Sequence, residues 1–180
     1  MSCYGGKEMA AAFRTVRKNT IQIAEDIPED KYNFVPAPGV KPVGKQLAHM
    51  GVVTRLWPAI LKDGLTTLVG YDFLSLRGPL VDEEEKPRTK AELVEFLRTE
   101  GEKFAVWLES LSDEFLAVQV LDGDGKTVKT RFERVLGAKE HEMHHRGQLM
   151  LIERQLGITP HLTKQNEERM KQLRAAKAAN

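Results

Sequence analysis

Apolar residues recur at helical spacing in four separate segments of this chain, and that pattern points to a bundle of helices. From Gly6 to Asp26 the stripe is Met9, Phe13, Val16, Thr20, Ile23 and Ile27, and Pro28 ends it. The second segment opens at Pro42, a residue suited to a first helical turn, and stops near Gly64. It carries His49, Val53, Leu56 and Ile60 on one face. Pro58 lies inside it and has no N–H to bond back to Thr54, so a kink or an end to the regular helix is expected there. Thr89 and Glu92 form a capping box for the third segment, whose stripe is Leu93, Phe96, Leu97, Phe104, Trp107, Leu108 and Leu111. Thr130 and Glu133 form another, opening a fourth segment that runs to Leu156 with Gly157 at its end.

The connections differ in kind. Residues 29–41 are proline-rich and non-periodic. Leu65 to Arg88, with Gly70, Gly78, Pro79 and Pro87, is long for a link within a bundle. Such a link can span the full height and let the second and third helices run parallel. Ala117 to Phe132 alternates weakly around Asp122-Gly123-Asp124-Gly125, which reads as a β-hairpin or extended arm. Asp122, Asp124 and Glu133 mimic three positions of a calcium loop, but Lys126 stands at a ligand position and Thr127 where glycine is required, so calcium is excluded. After the turn Ile158-Thr159-Pro160-His161, Thr163 is expected to cap an amphipathic tail helix to about Ala176. The fold class is therefore an all-α four-helix bundle with a tail helix, expected as one domain over residues 1–180.

Charge and cysteine content exclude other classes. The chain has 27 basic and 26 acidic residues, without the basic excess of a nucleic-acid binder. The runs Asp82–Glu85 and Lys171–Lys177 read as solvated faces. Cys3 is the one cysteine, so neither an internal disulfide nor a thiolate metal cluster can form, which fits a reducing cytoplasm. There is no signal-peptide pattern, and no apolar run approaches the ~20 residues of a membrane helix. A soluble cytoplasmic protein is expected, with no nucleic-acid or membrane partner.

The chemistry concentrates in His141-Glu142-Met143-His144-His145-Arg146-Gly147-Gln148. His141 and His145 are four residues apart, hence one above the other on a helix. A count of about 100° per residue puts them on a stripe with Ala138, Leu149, Ile152 and Leu156. Two imidazoles on an apolar face need partners, and a metal ion is one. His49, on the apolar face of the second helix, is the candidate third ligand, because bundle cores build metal sites from facing helices. His144 and Gln148 lie near the margin of the stripe. They are candidates for a proton shuttle and for a hydrogen bond to a ligand imidazole. Glu142 should point about 100° away from His141, and Arg146 should be a surface or interface residue.

Taken together, Gln46-Leu47-Ala48-His49-Met50, the histidine octet, the long link and the Gly157-Ile158-Thr159-Pro160 turn resemble the DinB-like (DinB/YfiT) family of metal-dependent enzymes. The resemblance extends from about Gly6 to Met170. It implies a four-helix bundle in up-down-down-up order and a three-histidine site made by His49, His141 and His145. Its better-known members transfer low-molecular-weight thiols or isomerise thiol adducts. The expected function is thus a metal-dependent transferase that activates a small thiol toward an electrophile. A metal-dependent hydrolase is the alternative, and a non-catalytic stress-related protein with a structural metal is a further one. Three neutral imidazoles suit a divalent ion, zinc or nickel first and iron after them, and leave an open coordination position. A homodimer is also expected. Phe132, Leu136, Met143, Gly147 and Met150 form a second apolar line roughly opposite His141, which must be covered by the tail helix, the 117–130 arm or a second subunit.

Overall fold

The computed structural model describes residues 4–178; Cys3 lies outside them. Four long helices carry the fold: α1 (Gly6–Asp26), α2 (Val43–Val53), α5 (Lys90–Glu109) and α7 (Arg131–Gln155). Around them lie helices α3 (Leu56–Leu61), α4 (Phe73–Glu85) and α6 (Asp113–Ala117), a tail helix α8 (His161–Ala178), a 3-10 turn at Glu29–Lys31, and strands β1 (Gln119–Leu121) and β2 (Val128–Thr130). Both capping boxes form. Thr89 N donates to Glu92 at 2.7 Å and Glu92 N to Thr89 Oγ1 at 3.3 Å; Thr130 and Glu133 repeat the exchange at 2.7 and 3.2 Å.

Side-chain contacts fix the helix directions. Arg14 near the start of α1 meets Glu102 and Glu109 on α5, while Lys90 at the start of α5 bonds Glu25 O and Ile27 O, so α1 and α5 are antiparallel. Gly44 packs on Leu93 and Arg55 bonds Glu100, so α2 and α5 are parallel. Arg17 meets Glu142, and Asn19 meets His161 just beyond the end of α7, so α1 and α7 are parallel. The order is up-down-down-up. The parallel pair requires the chain to climb back from the end of α3 to Thr89, and α4 makes much of that climb.

Two apolar clusters fill the bundle. One gathers Phe13, Phe104, Leu108 and Val135; the other Ile23, Leu47, Leu97, Leu149 and Ile152. Between them lies a buried ion pair. Arg17 Nε and Nη2 donate to the two carboxylate oxygens of Glu142, both at 2.7 Å, and its remaining donors reach Leu97 O and Met50 O at 2.7 and 2.9 Å. One guanidinium therefore ties together all four main helices. Gly101 makes room for it, since a Cβ there would lie 2.7 Å from Arg17 Cγ.

The second segment is interrupted, as expected, at Thr54, whose carbonyl Pro58 cannot bond: α2 stops at Val53 and α3 restarts at Leu56. Pro58 then sits in a first turn, where its missing N–H is not needed. Other expectations are corrected. The long link is not irregular throughout but contains α4. Helix α6 precedes the hairpin, and the tail helix begins at His161 rather than after Thr163. The Thr163 hydroxyl instead accepts from Arg154 Nη2 at 2.9 Å. The run Asp82–Glu85 is not wholly solvated, since Glu84 is buried. The hairpin is as expected, with Gln119 opposite Thr130 and Asp124 accepting from Lys126 N and Thr127 N at the turn. Among the described residues no helix is long and apolar enough to cross a membrane.

Candidate metal centre

Antiparallel packing of α2 against α7 brings His49 level with the His141–His145 pair. Nε2 of His49 lies 3.2 Å from Nε2 of His141. Each of the three rings offers a nitrogen within 4.8 Å of the other two. Two nitrogens bound to one tetrahedral ion at about 2.0–2.1 Å are about 3.3–3.4 Å apart, so the spacing and donor type fit a divalent metal. All three side chains are half-buried.

The partners of the outer ring nitrogens fix which way the lone pairs point. Nδ1 of His49 is 2.8 Å from Glu84 Oε2. Burial alone would raise the Glu84 carboxyl, but hydrogen bonds from Lys41 and His49 outweigh it and hold the group below the usual carboxylate range. Glu84 is therefore an acceptor, His49 Nδ1 carries the proton, and Nε2 presents its lone pair to the cluster. Gln148 does the same for His145: its Oε1 accepts from Nδ1 at 2.9 Å. The amide nitrogen of Gln148 then donates to His144 Nε2 at 3.0 Å. A hydrogen-bonded chain thus runs from solvent-exposed His144 through Gln148 to His145.

Electrostatics favour neutral imidazoles, the state a metal requires. Burial, with the neighbouring His145, His49 and His144, pushes His141 down to about 4. Burial also lowers His145, although its hydrogen bond with Gln148 works against that shift.

Two carboxylates near the site have roles that the sequence reading did not assign. Glu142 turns away from His141, as its position on the helix demands, but into the buried pair with Arg17 rather than toward solvent. Glu84 was hidden in an acidic run. Its signal was the spacing Phe73, Arg77, Leu80, Val81, Glu84, a helical stripe masked by Gly78-Pro79. Arg146 is half-buried, and among the described residues its Nε has no hydrogen-bond partner. Beside His49 opens a cleft of about 540 Å³, walled by α2 and α3 on one side and α4 on the other.

The second apolar line of α7 is only partly open. Phe132 stacks edge-on with Tyr4 and Met150 packs against the core, leaving Met143 42 % exposed and nothing beside Gly147. The tail helix does not cover this line; it has no buried residue and approaches α1 instead.

A model of the DinB superfamily matches residues 12–149. The chain is 27 % identical over 154 residues to the uncharacterized protein YjoA of Bacillus subtilis (strain 168), covering 84 % of this chain and 91 % of that one. The crystal structure of YjoA, described as DinB-like, has a TM-score of 0.63 at 24 % identity, covering 84 % of this chain and 93 % of the other. YfiT from Bacillus subtilis, described as a probable metal-dependent hydrolase with an unusual four-helix bundle topology, has a TM-score of 0.69 at 14 % identity, with coverage of 88 % and 91 %.

Proposed function

The chain belongs to the DinB superfamily, and from that premise we propose that it is a metal-dependent enzyme in which His49, His141 and His145 hold one divalent ion, zinc or nickel. The observation that carries the reading is the convergence of three imidazole nitrogens beside an open cleft. A saturated structural site needs four protein ligands, whereas three and a cleft suit catalysis. When bound, the ion supplies a Lewis acid that lowers the pKa of a thiol or water at neutral pH.

The protein's own residues do the rest. Glu84 and Gln148 fix the His49 and His145 rings and direct their lone pairs inward. Val52, Val53 and Leu56 give the cleft an apolar wall that limits water. The two buried carboxylates beside the histidines are engaged, Glu84 with Lys41 and His49, Glu142 with Arg17. Neither is free as a general base. That favours a nucleophile acidic enough to ionise through the ion alone, a low-molecular-weight thiol attacking an electrophile. Hydrolysis is the second reading, supported by the likeness to YfiT.

The test compares metal-loaded and metal-free protein on a panel of cellular thiols with a generic electrophile, and on esters and amides. Acceleration of conjugation by the loaded form alone is expected. Equal rates from both forms on every substrate would overturn the enzymatic reading, and activity confined to esters or amides would replace transfer by hydrolysis. We further propose one domain over residues 1–180, a cytoplasmic location and a homodimer formed through the second apolar line of α7, where Met143 and Gly147 stay open.

A further inference from the structure

The wall of the cleft opposite α2 and α3 is α4, and its composition is unusual. Phe73, Arg77, Leu80, Val81 and Glu84 recur at helical spacing, so one face of the helix looks into the cleft. At one end Glu84 bonds His49, so this end lies at the metal centre. Seven residues earlier, two turns and about 10.5 Å along the axis, stands Arg77. Between them the lining is Leu80 and Val81, facing Val52, Val53 and Leu56.

The charges do not balance. Lys41 is paired with Glu84, and Glu85 with Lys45 outside the lining. Arg77 has no carboxylate or hydrogen-bond partner among the described residues, although it lines the cleft. Phe73 and Val81 remain 41 % exposed each on a helix whose one buried residue is Glu84. An apolar face left open, with an unpaired guanidinium at one end and the histidine cluster at the other, is complementary to an elongated apolar molecule with an anionic end.

We propose that Arg77 is a specificity residue, and that the cleft takes a medium-chain aliphatic carboxylate whose far end reaches the His49–His141–His145 centre. The inference rests on the reading of that cluster as a metal centre with an open position. A single guanidinium with no second free cation matches a monoanion, and its planar fork accepts a carboxylate in two parallel hydrogen bonds. The aliphatic stretch lies between Arg77 and the centre and packs on Leu80 and Val81 against Val52, Val53 and Leu56.

The experiment uses cobalt(II)-loaded protein and follows the thiolate-to-cobalt charge-transfer band during titration with mercaptooctanoate, the neutral mercaptooctanol of similar length, and short mercaptopropionate. Wild type should bind mercaptooctanoate about tenfold or more tighter than mercaptooctanol, the ratio expected from a charged hydrogen bond. Arg77→Ala, an exposed position, should erase that preference and leave the affinities of mercaptooctanol and mercaptopropionate unchanged. Equal affinity of the two long probes in wild type, or a preference that survives Arg77→Ala, would overturn the proposal while leaving the metal centre intact. Failure to take up cobalt would overturn the metal-centre reading and this inference with it; cobalt uptake with no thiolate band from any probe would overturn the open position and this inference while leaving the bound ion.

Discussion

Glu153 carries a strong pH dependence that a single substitution should expose. It lies near the end of α7, fully buried, and among the described residues neither carboxylate oxygen has a hydrogen-bond partner. Burial, reinforced by Asp26 on α1 and opposed by Arg154 and Lys164, pushes its pKa from the ordinary 4.5 up to about 7. Over this interval the folded protein keeps a proton that the unfolded chain has released. The stability associated with the protonated group is complete below about pH 4.5 and is lost as pH rises through about 7. At about 1.36 kcal/mol per pH unit, the loss is about 3 kcal/mol. His141, His145 and His161 are all lowered by burial, so their contribution has the opposite sign and falls away as pH decreases. The wild-type curve alone would mix these effects. Glu153→Gln has no proton to release, and the difference between wild type and variant isolates this one group. Urea unfolding with chelator present, repeated from about pH 4.5 to 8, should show the wild type losing about 3 kcal/mol relative to the variant. In thermal melts this corresponds to about 2–4 °C for each kcal/mol. A difference that stays constant with pH would refute the claim that this carboxyl is desolvated and unpaired in the native state.

Three further outcomes are expected. Glu84→Gln should weaken metal binding about 10–100-fold in competition with a chromophoric chelator, because His49 loses its carboxylate anchor; unchanged affinity would contradict the assigned ring orientation. Arg17→Met should cost about 3–5 kcal/mol in urea unfolding by stranding the Glu142 charge, and Arg17→Met with Glu142→Leu should recover much of it; a single variant as stable as wild type would show that the pair is not desolvated. Sedimentation at micromolar concentration should give a dimer that Met143→Glu converts to a 20.3 kDa monomer. A wild-type monomer would remove the dimer from the proposal, and a dimer that survives Met143→Glu would place its interface elsewhere.

The main helices were legible because their signals are local. Apolar residues three and four apart define a stripe, and a Thr with Glu three residues later fixes a helix start. The His141–His145 pair was legible for the same reason. Helix α4 was not, since it buries only Glu84, carries Gly78-Pro79 at its middle, and has no broad apolar stripe to announce it. The partners that orient the histidines depend on tertiary structure. Glu84 is 35 residues from His49 and Arg17 is 125 from Glu142. No local pattern ties such positions together; the up-down-down-up order does. Gln148 was the exception, because it lies within one helical turn of both His144 and His145.

The central claim is that His49, His141 and His145 together hold one divalent ion. Metal analysis of purified protein, wild type beside the variant carrying His49→Ala, His141→Ala and His145→Ala, tests it most directly. One ion per chain in wild type and none in the variant, with a chelator-sensitive melting temperature only in wild type, is the expected result. A triple variant that retains its full metal content would contradict the account.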